Sequence, residues 1–92
     1  MHAVVVKVSI GDQERAQKGL REQVIPRAKQ TPGFVAGYWT RSDDGDDGLS
    51  MVLVESEDAA RQAAERIRSG AGALPETVTL ESVEVREVVE HA

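Results

Sequence analysis

The aromatic side chains of this sequence are concentrated in one short stretch. The chain of 92 residues has one Phe, one Tyr and one Trp, and these are Phe34, Tyr38 and Trp39. An aromatic ring with a polar tip can orient a flat organic molecule on the wall of an apolar pocket. Such rings also fill cores and subunit interfaces. The stretch therefore has two interpretations, a pocket wall or a set of packing and interface residues.

Alternation along a strand separates these rings. Phe34, Ala36, Tyr38 and Thr40 should leave one face of the sheet, and Val35, Gly37, Trp39 and Arg41 the other. We expect Tyr38 on the pocket side and Trp39 at a subunit interface, because a large ring at an interface supplies much apolar area.

Two cations complete the candidate pocket, Lys7 and Arg41. An apolar pocket that acts on a phenol needs a group to deprotonate it or to stabilise its anion, and Lys7, Tyr38 and Arg41 could serve. Lys7 has a plain alternative, since the only charge within the first predicted strand can simply reach solvent. The candidate pocket residues are therefore Lys7, Tyr38, Trp39 and Arg41, and no catalytic residue is assigned.

Few other chemistries are available to the chain. It has no cysteine, so disulfides and thiolate metal sites are excluded. Its two histidines, His2 and His91, lie near the termini, where we expect them to be solvated, although an imidazole can act as a base near neutral pH. The acidic segment 43–48 lacks the ligand spacing of a calcium-binding loop and indicates a hairpin tip. We predict no metal and no cofactor.

The net charge of -5, from 16 acidic and 11 basic residues, argues against nucleic acid and anionic membrane surfaces as partners. No stretch approaches the ~20 apolar residues of a membrane-spanning helix. The first residues lack the basic and apolar regions of a signal peptide. We expect a single cytoplasmic domain over residues 1–92.

Strand and helix patterns alternate along the chain. Residues 3–10, 34–41, 49–55 and 77–90 are predicted strands, and a turn rich in Asp and Gly joins the middle two into a hairpin. In the last strand the apolar residues change parity between Leu80 and Val83, which predicts a bulge.

Two helices cover this sheet. Apolar residues four apart predict a helix over residues 13–29, which Pro26 should kink or end early. Ser56 should cap the second helix, and residues 70–75 should end it. Its predicted buried stripe is Ala60, Ala63, Ala64 and Ile67.

The order of elements predicts an α+β fold of pattern β-α-β-β-α-β. Two helices can cover only one face of a four-stranded sheet. Residues 3–6, 34–36, 51–54 and 88–89 are nevertheless apolar at consecutive positions, and therefore on both faces. We predict that a second copy of the chain covers the other face, giving a homodimer. The alternative is that these runs merely reflect strong β-forming residues.

Two segments carry a resemblance to a known family. They are TPGFVAGYW over residues 31–39 and VESEDAA over residues 54–60. With the order of elements, they resemble the dimeric α+β barrel superfamily over nearly the whole chain. The resemblance implies a ferredoxin-like antiparallel sheet, two of which pack face to face into a barrel with the helices outside. That superfamily includes cofactor-free quinone-forming monooxygenases, haem-degrading monooxygenases, muconolactone isomerases and many small bacterial proteins of unassigned role.

Haem-degrading members of the family are expected to carry an asparagine on strand one, a tryptophan at the start of helix two and a histidine ligand on helix two. This chain contains no asparagine, and Val54 or Glu55 occupies the tryptophan region. No histidine lies between His2 and His91. We therefore expect no specific haem binding.

Three functions remain open at this point. The first is a homodimer that binds a small apolar or aromatic molecule. The second is a cofactor-free monooxygenase or isomerase acting on an aromatic or polyketide-like substrate. The third is a purely structural or interaction module. A buried polar group beside an apolar cavity between the helices and the sheet would distinguish the second function from the others.

Overall fold

The computed structural model describes residues 1–70 and 77–92. Its elements, in chain order, are β1 His2–Ile10, α1 Gln13–Gly19, a π-helical segment Leu20–Val24, α2 Ile25–Lys29, β2 Phe34–Arg41, β3 Asp47–Val54, α3 Glu57–Arg68 and β4 Val78–Glu87. The strands form one antiparallel sheet in the order β2-β3-β1-β4. The predicted β-α-β-β-α-β pattern and ferredoxin-like sheet are confirmed.

The last strand is shorter than predicted. β4 ends at Glu87, which pairs with His2 at the start of β1. Val88 still donates its N–H to the Met1 carbonyl at 3.0 Å, but Val89 is 84% exposed. β4 ends opposite the first residue of β1. Residues 88–89, which were expected to lie in the sheet, therefore do not contribute to either of its faces.

The predicted bulge in β4 is confirmed. Lys7 pairs with Ser82 while Val8 pairs with Leu80, so Glu81 is the extra residue. Its carboxylate leaves the ladder and accepts a hydrogen bond from the Ser9 hydroxyl at 2.8 Å. The bulge lets Leu80 and Val83 pack against the same core, which the alternation of an unbroken strand would forbid.

A second bulge, in β2, was not expected. Phe34 pairs with Val54 and Ala36 with Leu53, which leaves Val35 as the extra residue. The expectation that Phe34, Ala36 and Tyr38 share one face is therefore wrong for Phe34, because the bulge changes the parity of the strand between Phe34 and Ala36.

The packed core lies beneath α3. Ser56 caps this helix as predicted, since its Oγ accepts the Ala59 N–H at 3.1 Å. Ala60 and Ala64 are fully buried against the sheet, where Val4 and Val54 are their neighbours in the core. Ala63 and Ile67 pack partly buried beside them, which confirms the predicted stripe. Small side chains on the inner face let the helix lie close to the sheet.

The end of α3 agrees with the prediction as far as it is described. The helix stops at Arg68, and Gly70 adopts a φ of 80°, a left-handed conformation that suits glycine just beyond a helix. Pro75, which was also expected to end this helix, lies outside the described residues.

The first helix does not end early at Pro26. Helical structure continues to Lys29, but Leu20–Val24 is wound as a π-helix, with the Ile25 N–H donating to the Leu20 carbonyl. Pro26 supplies the physical reason: its ring has no N–H and would collide with the Glu22 carbonyl in a regular α-helix.

The two helical regions pack very differently. No residue of the first helical region, residues 13–29, belongs to the buried core cluster or packs against it, and Gly19 alone is buried there. One half of the helical layer is therefore packed on the sheet, and the other half is held away from it. Among residues 1–70 and 77–92, no helix is long and apolar enough to cross a membrane.

Candidate functional site

A cleft lies between the sheet and the first helical region. It has two lobes, of about 280 Å³ and about 340 Å³, which share Val6, Val24, Trp39 and Ser50. The hairpin lobe is the one bounded by Gln13, Ala16, Leu20, Arg41 and Gly48, and it lies beside the β2–β3 hairpin. The inter-helix lobe is the one bounded by Arg27, Ala28, Val52, Arg66 and Ile67, and it lies between α2 and α3.

Strand register determines which side chains reach this cleft. Trp39 pairs with Ser50, which in turn pairs with Val6 on the central strand β1. Partners directly opposite each other share one face of an antiparallel sheet. Because Val6 belongs to the core beneath the helices, Trp39 faces the helices as well.

The expectation that Tyr38 lies on the pocket side and Trp39 on the other is therefore wrong, because Trp39 lines the cleft and Tyr38 does not. Tyr38 pairs with Met51 on the opposite face of the sheet and is 60% exposed. Tyr38 and Trp39 do lie on opposite faces, as the alternation predicted. Which of the two faces the helices depends on how β2 pairs with β3 and β3 with β1, and the residues of β2 alone do not show that pairing.

Gly37 allows the indole of Trp39 to lie flat along the cleft wall. A Cβ atom at Gly37 would stand only 2.5 Å from Trp39 Cη2 and 2.8 Å from Cζ3. Glycine inside a strand often marks such a close approach. The indole is therefore held against the strand backbone at the junction of the two lobes.

The two candidate cations are separated by the sheet. Arg41 lines the hairpin lobe. Lys7 pairs with Leu49 and Ser82 on the opposite face and is exposed. Of the four candidate pocket residues, Trp39 and Arg41 line the cleft, whereas Lys7 and Tyr38 do not.

Two arginines of the cleft were not found from the sequence. Arg27 on α2 and Arg66 on α3 both line the inter-helix lobe. Each lies in the last turn of its helix, where basic residues are common because they complement the helix dipole. Their spacing in the sequence therefore gave no signal that they meet at one site.

His2 is not the solvated terminal residue that we expected. It is the first residue of β1, its side chain is only 17% exposed, and its Nε2 lies 3.6 Å from Glu57 Oε2. Its Nδ1 is buried without a hydrogen-bond partner among the described residues. With Arg61, Glu65 and Arg68, it lines a polar cavity of about 370 Å³ that shares no residue with the cleft.

The acidic hairpin tip is organised by its own hydrogen bonds. The Asp44 carboxylate accepts from the Asp46 N–H at 2.9 Å and from the Ser42 hydroxyl at 2.7 Å. These bonds, the first of them foremost, hold the pKa of Asp44 below its ordinary value. Gln13 reaches the Asp44 carbonyl at 3.4 Å, so the tip folds against the start of α1 beside the hairpin lobe. Within the described ranges, no group of three potential metal ligands occurs here or elsewhere.

Comparison with known proteins identifies the fold. No protein-family model matches the sequence, and neither does any curated protein. Among solved structures, the chain is similar to SnoaB, a cofactor-independent oxygenase from Streptomyces nogalater, with a TM-score of 0.73 and 18% identity over 98% of this chain and 94% of that one. It is also similar to a dimeric ferredoxin-like protein from an uncultured marine organism, with a TM-score of 0.62 and 10% identity over 100% and 98% of the two chains.

A third similar structure is the haem degrader MhuD from Mycobacterium tuberculosis, solved with two haems in its active site. It has a TM-score of 0.56 and 25% identity over 97% of this chain and 98% of that one. The structural neighbours thus include a cofactor-independent oxygenase, a dimeric ferredoxin-like protein and a haem degrader. The similarity confirms the ferredoxin-like fold that the sequence resemblance implied.

The cleft does not fit haem iron. Haem iron in proteins is held by His, Cys, Met or Tyr side chains. None of these residue types is among the described residues that line either lobe. We therefore derive no chemistry through haem, and the expected lack of specific haem binding stays a prediction.

The close contact of Trp39 with Gly37 makes a direct prediction. Gly37→Ala should drive the indole off the cleft wall, because the new methyl group would occupy the position of the ring. We expect a shift of the tryptophan emission maximum and a loss of about 1–3 kcal/mol in unfolding free energy, as for other overpacked sites. Fluorescence and urea unfolding measure both quantities.

Tyr38→Phe is the matched control, since it changes the neighbouring residue on the opposite face. An emission spectrum that stays the same in Gly37→Ala would contradict the placement of the indole.

Proposed function

We propose that this protein binds a flat, apolar organic molecule in the cleft, with one face of the molecule against Trp39. The observation that carries the proposal is an aromatic wall at the junction of two adjoining lobes, one of them about 340 Å³ in volume. Small-molecule sites typically occupy ~300–1,000 Å³ and combine apolar walls with a few polar groups.

The residues of the cleft match this description. The sheet and the helices contribute aliphatic side chains such as Val4, Val6, Val24 and Ile67. Ser50 places a hydroxyl at the junction, beside the indole. Because the first helical region contributes nothing to the packed core, a ligand can enter beneath it without displacing core side chains.

Ser50 and Met51 provide a matched pair for a binding test, since they are neighbours on β3 that face opposite sides of the sheet. Ser50→Phe should fill the junction and weaken binding of the neutral probe 2-naphthamide at least tenfold, whereas Met51→Phe should leave it unchanged. Isothermal titration calorimetry gives the affinities, and circular dichroism checks the fold. Equal affinities in both variants, or failure of the unmodified protein to bind either this probe or its carboxylate analogue 2-naphthoate, would contradict a ligand site in the cleft.

We further propose that the protein is a homodimer formed through the face of the sheet that the helices leave uncovered. This face includes Leu49, Met51 and Tyr38, which are 48%, 40% and 60% exposed. Apolar residues placed together on a surface favour an interface. The dimeric ferredoxin-like protein of similar fold supports this arrangement.

Met51→Asp tests the dimer. An unpaired carboxylate in an interface costs several kcal/mol, so we expect monomers or aggregates at micromolar concentration. Gln62→Asp adds the same charge on the exposed side of α3 and should keep the dimer. Light scattering coupled to size exclusion measures the mass. A mass near the monomer's 10.0 kDa for the unmodified protein would refute the dimer.

The second candidate function is a cofactor-free monooxygenase that acts on an aromatic, polyketide-like substrate. The similar fold of SnoaB, a cofactor-independent oxygenase, favours it. In this reaction a phenol or enol loses a proton, the carbanion form adds dioxygen, and loss of water leaves a quinone. No described residue of the cleft is a carboxylate or a histidine, so an arginine acts by stabilising the anion, and solvent takes the proton.

Anthrone provides the test, because its oxidation by dioxygen yields anthraquinone and water in equal amounts. We expect the protein to accelerate both oxygen uptake and quinone formation, and Ser50→Phe to abolish the acceleration. An oxygen electrode and quinone absorbance follow the two sides of the reaction. A rate equal to that of buffer alone would contradict the monooxygenase proposal but not the proposal that the cleft binds a ligand.

A further inference from the structure

We propose that the inter-helix lobe selects flat apolar molecules that carry a carboxylate, which binds between Arg27 and Arg66. This inference rests on the proposed ligand site in the cleft and adds the chemical class of its ligand. The two arginines come from different helices, α2 and α3, and line the same lobe.

The charge of the cleft is opposite to that of the chain. The sequence has a net charge of -5, yet every charged residue that lines the two lobes within the described ranges is an arginine. An apolar cleft with cationic groups favours an anionic ligand, because opposite charges attract more strongly where water is partly excluded.

Within the described residues, these two arginines also form no ion pair with a carboxylate of the chain. The arginine ion pairs found in residues 1–70 and 77–92 use Arg61, Arg68 and Arg86. Neither Arg27 nor Arg66 takes part in them, so no internal carboxylate competes with a ligand for these two guanidinium groups within the described residues.

The helix dipole does not account for this arrangement. Lys29 shares the last turn of α2 with Arg27, and Arg68 shares the last turn of α3 with Arg66. Neither Lys29 nor Arg68 lines the inter-helix lobe, and Arg68 instead donates to the Val83 carbonyl at 3.0 Å. Complementing the dipole explains why basic residues stand at these helix ends, but not why one from each helix lines the lobe.

The remainder of the lobe defines the other part of the ligand. Val4, Val52, Ala63 and Ile67 give it an apolar floor and side, and Trp39 closes it towards the hairpin lobe. Guanidinium groups bind planar carboxylates through paired, charge-assisted hydrogen bonds. A ring system on the apolar floor with its carboxylate at the two arginines satisfies both parts of the lobe.

A pair of probes of nearly the same shape isolates the carboxylate. 2-Naphthoate and 2-naphthamide differ in charge but little in size. We expect the unmodified protein to bind naphthoate about tenfold or more tightly than naphthamide, as for other hydrogen bonds to charged groups. This preference should shrink as salt is added, because part of the site is exposed. Isothermal titration calorimetry measures both affinities.

The double variant Arg27→Gln/Arg66→Gln should lose the preference for naphthoate and keep its affinity for naphthamide. Lys29→Gln removes one positive charge from the same helix end without changing the lobe, and it should keep the preference. The inference is overturned if the unmodified protein binds the two probes equally, if the double variant retains the preference, or if Lys29→Gln loses it. Failure to bind either probe would instead refute the ligand site in the cleft, and the carboxylate inference with it.

Discussion

The close packing of α3 on the central strands is the contact on which the rest of the structure depends. Ala60 and Ala64 are fully buried, and with Val4 and Val54 they form the dense part of the core. Because alanine side chains are so short, the helix lies near the sheet and anchors it. The first helical region needs no comparable contact, so it can stand away from the sheet and leave a cleft. Pro26 reinforces this difference, since it forces a π-helical segment whose residues Leu20 and Val24 line the cleft.

Because β1 pairs with both β3 and β4, the packing of β1 against α3 determines which residues of the sheet face the cleft. Once Val4 and Val6 face α3, antiparallel pairing determines the face of every residue opposite them. Ser50 and then Trp39 follow onto the helix side, and Met51 and Tyr38 onto the other. The same alternation places the half-buried His2 beside Glu57 at the start of α3. One layer of contacts thus separates the side of the sheet that carries the cleft from the side that carries Met51 and Tyr38.

The charged residues that line the cleft are opposite in sign to the net charge of the chain. Acidic residues outnumber basic ones in the sequence, but the described acids lie mostly at the hairpin tip, on the outer faces of the helices and along β4, where several form their own hydrogen bonds and ion pairs. Within the described residues, Arg27, Arg41 and Arg66 form no such ion pair and line the apolar cleft. A few charges of one sign in an apolar cleft influence a bound ligand more than the net charge of the protein does.

The local features of this protein were predictable from its amino-acid sequence. Valine-rich runs and four-residue spacing predicted the strands and helices, the parity change after Leu80 predicted the bulge in β4, and Ser56 predicted a helix start. Two short segments also identified the fold. These signals succeed because each depends on residues close together in the chain. Three features could be read only from the folded chain. Trp39 faces the helices and Tyr38 does not, and a bulge at Val35 turns Phe34 to the other side. Arg27 and Arg66, which are far apart in the sequence, line the same lobe. Those outcomes depend on strand register and on helices brought together across the sheet, and the free energies that select them come from contacts between residues distant in sequence.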